Sequence, residues 1–264
     1  MTDKGGFAGE HRRHYGRRLK AEQKFSPASD AFLLDVDGTI LDIAATPDAV
    51  RVPATLKRTL AQLQQQTDGA TALVSGRELA TLDRLFAPLR LAAIGGHGAE
   101  WRTRPDGAIE QRAQPLPIDI KRVFVSAMAD EPQIRIEDKG YTLAFHYRRA
   151  PQRRLELEAR LSRCLEPYAS GLRLLHGKRV IEVKPRSFDK GEAIRELMRG
   201  APFAGRRPVY LGDDTTDEDA FAVVREMEGV GISVGRRMAD AQRMLPNPRT
   251  ARQWLASIAG LVTG

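Results

Sequence analysis

Three short apolar runs in the N-terminal half, at residues 31–34, 70–74 and 91–94, each stop abruptly at polar or glycine-rich residues. Between them lie segments of helical periodicity, with Leu56, Leu60 and Leu63 in the first and Leu79, Leu82, Leu85 and Phe86 in the second. Short bounded apolar runs separated by amphipathic helices read as buried strands of a parallel sheet, because parallel neighbours need a crossover and the crossover is usually a helix. This β-α-β-α-β alternation predicts an α/β fold with right-handed connections.

The alternation lapses near residues 111–117, where Pro115-Leu116-Pro117 reads as a hinge. Beyond it the pattern is a helix at 119–129, strands at 133–137 and 141–148, a helix at 151–168, and strands at 171–175 and 179–184. The turns Asp138-Lys139-Gly140 and His176-Gly177-Lys178 are tight, so this module is an antiparallel sheet backed by two helices. Pro185 marks the return, after which a helix opens at Lys190-Gly191. A strand at 208–211, a helix at 217–225, a strand at 229–234 and a helix at 252–261 complete the parallel pattern. The expected organisation is a basic tail at 1–27, a core of 28–114 with 185–264, and an inserted α+β cap at 115–184.

Composition narrows the function classes. A chain of 264 residues with 42% hydrophobic and 29% charged residues is globular rather than disordered. No apolar run approaches the ~20 residues of a membrane span, and the N-terminus lacks the apolar segment of a secretory signal. Arg17-Arg18 is not followed by one either. The single cysteine, Cys164, shares helical spacing with Leu157, Leu161, Leu165 and Tyr168, which predicts a small packing side chain and fits a reducing compartment. The net charge of +8 suits an anionic substrate as well as a nucleic acid. Basic residues are scattered apart from Arg12, Arg13, Arg17, Arg18, Lys20 and Lys24 in the tail, and no basic-aromatic stripe offers a single-strand platform. A monomeric cytoplasmic protein with no nucleic-acid or membrane partner is expected.

Four polar clusters follow strands or open a helix: Asp35/Asp37/Thr39, Ser75-Gly76-Arg77, Lys190-Gly191, and Gly212-Asp213-Asp214 with Asp217. Each alone has a plain alternative, such as an Asx turn, a solvated lysine or a helix cap. In a parallel sheet the three strand-end clusters share one crevice. There, aspartates from two strands can hold Mg²⁺, a hard cation that prefers oxygen ligands. One carboxylate can attack phosphorus while another shuttles protons. A serine hydroxyl, glycine N–H groups and a lysine at a helix start suit phosphoryl oxygens.

These clusters resemble the four signature motifs of the haloacid dehalogenase superfamily, and the inserted module resembles its α+β cap. The resemblance sharpens with Asp35-Val-Asp-Gly-Thr-Ile-Leu, Gly95-Gly-His-Gly-Ala-Glu, His146-Tyr-Arg, Gly177-Lys, Val180-Ile-Glu-Val-Lys-Pro, Lys190-Gly-Glu-Ala and Gly212-Asp-Asp-Thr-Thr-Asp-Glu-Asp-Ala-Phe. Together, over about residues 30–260, they are similar to the trehalose-6-phosphate phosphatase family.

The resemblance implies a Rossmann-like core with a parallel sheet and an inserted cap. It also implies Mg²⁺-dependent hydrolysis of trehalose 6-phosphate to trehalose and phosphate. Asp35 would form an aspartyl phosphate, and Asp37 would serve as acid and then base. The metal would be held by Asp35, the carbonyl of Asp37 and Asp213, with Asp214 and Asp217 behind. Ser75, Gly76, Arg77 and Lys190 would serve the phosphoryl group, and Glu137, Lys139, Arg148, Lys178 and Glu182 would contact the disaccharide and its phosphate. Related phosphatases of sucrose 6-phosphate or mannosyl-3-phosphoglycerate, a phosphohexomutase, and a non-catalytic sugar-phosphate sensor are the rivals. The Lys178-x-x-x-Glu182-x-Lys184-Pro185 segment favours trehalose 6-phosphate. Family members often carry Asn before His-Gly; here that residue is Gly96, and His97 is left without a role.

Overall fold

The computed structural model describes residues 24–44 and 49–261. The basic segment read as a tail lies, through residue 23, outside the described residues, as does Pro47. Two sheets organise the molecule. The larger is built on β1 (Asp30–Leu34), β2 (Thr71–Val74), β3 (Ala92–Gly95), β10 (Arg207–Gly212), β11 (Val230–Val234) and β12 (Arg243–Leu245). Together with β4 (Glu100–Arg102) and β5 (Glu110–Gln111), these run in the order β12-β11-β10-β1-β2-β3-β4-β5. The pairs from β12 to β3 are parallel, and β4 and β5 add an antiparallel edge.

Alternation on β1 shows why the sheet is covered on both faces. Phe32 and Leu34 join one apolar cluster, with Leu56, Leu60 and Leu63 of α1 (Ala54–Gln66), Leu82 and Phe86 of α2 (Leu79–Phe86), and Leu255 of α7 (Pro248–Ile258). Ala31 and Leu33 join the opposite cluster, with Ile194 and Leu197 of α5 (Lys190–Leu197) and Phe221 and Val224 of α6 (Glu218–Glu226). A strand buried on both faces reads as a continuous apolar run, as β1 does. Phe25 also packs on this body, edge-to-face with Trp254 at 4.9 Å.

The second sheet is antiparallel, in the order β6-β7-β9-β8, from β6 (Arg135–Asp138), β7 (Leu143–His146), β8 (Leu172–Gly177) and β9 (Val180–Pro185). Its outer face packs on α3 (Ile118–Ser126) and α4 (Arg154–Leu165) through Phe124, Leu157, Leu161, Phe145, Ile181 and Val183. Cys164 is half-buried against the same cluster, as its spacing suggests. The period of two then puts Glu137, its partner Ala144, and Glu182 opposite Ala144 in one row on the inner face.

The structure departs from the sequence reading chiefly at two helices and at three short strands that the reading does not foresee. α4 spans only 154–165 because the flanking segments, each with a proline in its first two positions, wind as 3₁₀ turns. α7 begins earlier than expected, where the Asn247 side chain accepts from the Thr250 N–H and Pro248 takes the first turn. β4, β5 and β12 are two or three residues each and show no usable alternation. Leu34 is fully buried in the larger cluster; Leu34→Ala is expected to lower unfolding stability by about 2–5 kcal/mol, measured by urea denaturation.

Candidate active site

The chain turns to opposite sides of β1 at the β1/β10 junction, and the carboxyl ends of β1, β2, β3 and β10 open on one crevice. Asp35 extends β1 by one ladder bond, its N–H donating to Leu211 O at 2.9 Å. The following turn needs Gly38, whose φ is +88° and where a Cβ would meet Asp213 Oδ2 at 2.2 Å. A glycine there lets the ends of β1 and β10 come together. Thr39 Oγ1 lies between them, 2.8 Å from Asp35 Oδ2 and 3.1 Å from Asp213 Oδ1.

Lys190, buried at the start of α5, donates to Asp35 Oδ1 at 2.8 Å and to Asp217 Oδ1 at 2.7 Å. Asp217 is fully buried and saturated: Tyr210 Oη also donates to Oδ1 at 2.6 Å, and the N–H groups of Asp213 and Asp214 donate to Oδ2 at 2.8 and 3.0 Å. Burial pushes Asp35 well above the usual carboxylate range, and neighbouring Asp217 adds to this against the pull of Lys190. Burial also disfavours the Lys190 charge, but Asp217 and Asp35 overcome it and hold that ammonium well above its ordinary value. Asp217 stays below its ordinary value because Lys190 and the hydrogen bonds outweigh its burial.

Carboxylate oxygens of Asp35, Asp213 and Asp217 lie within 4.8 Å of one another. With Asp217 saturated, Asp35 and Asp213 are the pair left to face a cation. An all-oxygen, buried, negative donor set fits a hard divalent ion. A stand-in supports the fit: Lys178, on the turn between β8 and β9, places its ammonium on Asp213 Oδ2, and its N–H donates to Asp214 Oδ2 at 2.7 Å.

Ser75 is buried directly after β2, with its N–H on Ile94 O at 2.9 Å and its Oγ accepting from Arg77 N–H at 3.1 Å. Arg77, expected beside the phosphoryl group, places Nε and Nη2 on Asp37 Oδ2 and Oδ1 at 2.6 and 2.8 Å. Across the crevice, Lys139 Nζ meets Glu182 Oε1 at 2.6 Å, Thr142 Oγ1 meets Glu182 Oε2 at 3.2 Å, and Glu137 pairs with His146 at 2.7 Å. Arg148 donates to Ala44 O at 2.9 Å. One cavity of about 490 Å³ is lined from one side by residues such as Asp35, Ser75 and Lys190, and from the other by Glu137, Lys139 and Glu182. The structure thus brings all the site residues expected from the sequence to this region. It adds Tyr210, Thr142 and His97. Tyr210 reads in sequence as one more apolar strand residue; its only signal is that a buried phenol needs a partner.

The fold is like that of a haloacid dehalogenase-like hydrolase. A B. subtilis structure described in those words superposes with a TM-score of 0.64 at 15% identity, covering 85% of this chain and 98% of that one, a likeness of fold alone. Residues 33–244 match the trehalose-phosphatase family, and the chain belongs to it. A probable trehalose-phosphate phosphatase of Sinorhizobium fredii is 40% identical over 232 residues, 87% of each chain. The C-terminal domain of C. albicans trehalose-6-phosphate phosphatase superposes with a TM-score of 0.79 at 25% identity, covering 89% of this chain and 93% of that one. Among the described residues, no helix is long and apolar enough to cross a membrane.

Burial pushes the Glu182 carboxyl up, but the Lys139 ammonium beside it outweighs this and holds it well below the usual range. A carboxylate depressed on folding contributes stability that is full above its unfolded pKa of about 4.3 and is lost as pH falls through the folded value. Between about pH 5 and 3 the Tm of the wild type is therefore expected to fall further than that of Glu182→Gln, measured by thermal melts across that window.

Proposed function

We propose that the protein hydrolyses trehalose 6-phosphate to trehalose and phosphate. The observation that carries this is the two-sided cavity. Its sheet side offers Asp35, Lys190, Ser75 and Asp213, groups suited to a phosphoryl ester, and its cap side offers Glu137, Lys139 and Glu182, groups suited to sugar hydroxyls. The family membership and the trehalose-phosphate names of the relatives support the choice of sugar.

In this reading an Asp35 carboxylate oxygen attacks phosphorus, and the bond from phosphorus to the sugar oxygen breaks. Asp37 gives its proton to the departing oxygen. Water then attacks the aspartyl phosphate while Asp37 takes a proton from it, releasing phosphate and restoring Asp35. Ser75, the Gly76 N–H and Lys190 receive the phosphoryl oxygens, and Arg77, which holds both Asp37 oxygens here, would yield one of them when Asp37 carries its proton. Mg²⁺ would be held by Asp35, the Asp37 carbonyl and Asp213, with Asp214 and Asp217 behind. When bound, it supplies positive charge against the carboxylate–phosphoryl repulsion. The cap, residues 115–184, would close over the core on hinges at Pro115, Pro117 and Pro185, carrying Arg148 and Lys178 toward the phosphate and excluding water.

Phosphate release from a panel of sugar phosphates with Mg²⁺ tests the reading. Trehalose 6-phosphate is expected to be preferred, with activity lost in EDTA and reduced more than about a thousandfold in Asp35→Asn. Asp37→Asn is expected to reduce turnover of the sugar phosphate by about 10²–10⁴-fold. Preference for sucrose 6-phosphate or mannosyl-3-phosphoglycerate would keep the chemistry and overturn the sugar; no release from any of them by folded protein would favour a sensing domain. Metal binding has its own readout: Mg²⁺ is expected to raise the Tm of the wild type and to leave that of Asp213→Asn unchanged.

A further inference from the structure

His97 stands in the turn after β3, where Gly96, His97 and Gly98 have φ of +55°, +58° and +111°. Glycine adopts this region freely; histidine enters it more often than most side chains but still uncommonly, so the surroundings help to hold it there. The His97 N–H donates to Ser75 O at 3.0 Å and the Gly96 N–H to Arg77 O at 2.9 Å, which fastens the turn to the Ser75-Gly76-Arg77 loop. Gly76 makes room for the ring, since a Cβ there would come within 2.4 Å of His97 Nε2.

On its far side the ring meets the other sheet. His97 Nε2 lies 3.1 Å from Glu182 Oε2, with side chains only 7% and 6% exposed. The pair is close but misaligned: neither ring nitrogen has a hydrogen-bond partner among the described residues. A buried imidazole left in that condition is costly, and a small rotation toward Glu182 would relieve the cost. Hydrogen bonds that are poorly aligned at rest often tighten in the complex. Burial pushes the His97 pKa down against the pull of Glu182, which favours a neutral ring. A carboxylate facing Nε2 selects the tautomer with its proton there.

We propose that His97 is a specificity-determining positioning residue. It ties Glu182, the sugar-reading carboxylate of the cap, to the phosphate loop, so that the leaving sugar is read in register with the bound phosphoryl group. This rests on the reading of the cap given above. The geometry supplies the reason for the strained turn: Glu182 already takes Lys139 and Thr142 from its own sheet, and His97 is its contact from the phosphate side.

The test compares trehalose 6-phosphate with p-nitrophenyl phosphate in His97→Asn, His97→Gln, Glu182→Gln and the His97→Asn/Glu182→Gln double variant. Asparagine tolerates the left-handed backbone but is too short to reach Glu182, whereas glutamine retains an N–H donor with more reach. His97→Asn is expected to lower kcat/KM for trehalose 6-phosphate by about tenfold or more and to change that for the aryl phosphate by less than about threefold. His97→Gln should recover most of the loss, and the double variant should lose little beyond Glu182→Gln alone. Equal losses on the two substrates in His97→Asn, or losses that multiply in the double variant, would overturn the proposal. Equal losses in Glu182→Gln would overturn the sugar-reading cap and this proposal with it, while a selective Glu182→Gln beside a silent His97→Asn would overturn the role of His97 alone. Should His97→Asn fail to fold, His97→Gly, which takes the positive φ freely and also removes the ring, takes its place in the same comparison.

Discussion

Three carboxylates, those of Asp35, Asp213 and Asp217, are buried at the ends of two adjoining strands, and a single buried ammonium, that of Lys190, lies among them. Burying like charges together is strongly unfavourable unless they are paired and hydrogen-bonded. Much of the surrounding structure meets that demand. The start of α5 carries Lys190, β10 carries Tyr210, and the turn after β10 turns two N–H groups onto Asp217. Asp217 is thereby satisfied, and the imbalance falls on Asp35 and Asp213, both held above their ordinary pKa by burial first of all.

That imbalance explains why the two sheets meet where they do. Lys178 of the second sheet reaches Asp213, its backbone engages Asp214, and Thr215 donates to His176 O, so the β8–β9 turn docks on the Asp213–Asp214 end of the crevice. A divalent ion at Asp35 and Asp213 would relieve the same charge and release Lys178 for an anionic substrate. One electrostatic constraint thus connects the buried cluster with the docking of the cap turn.

The crevice also uses the arithmetic of strands. Period two gives β9 an outer face of Ile181 and Val183, packed on helices, and an inner face bearing Glu182. The small Ala144 lies between Glu182 and Glu137 across the sheet, leaving space in front of both carboxylates. Slipping the register by one residue would send every polar side chain into the apolar layer.

The order and type of the longer elements, the parallel sheet with a separate antiparallel one, and the polar clusters at strand ends were legible in the sequence because each depends on local periodicity and on where an apolar run stops. The short β4, β5 and β12 were not, since two or three residues carry no period. Side-chain partnerships were hidden for a different reason. Arg77 finds Asp37 40 residues away, Lys178 finds Asp213 35 away, and Tyr210 is recruited to Asp217 from within a strand that reads as apolar. The sequence by itself determined which residues stand at the strand ends and so which carboxylate, hydroxyl and ammonium groups the crevice has to offer. Only the tertiary structure decided who faces whom, because strand order, register and the docking of one sheet on the other follow from burying both faces of the core and balancing the charges enclosed between them.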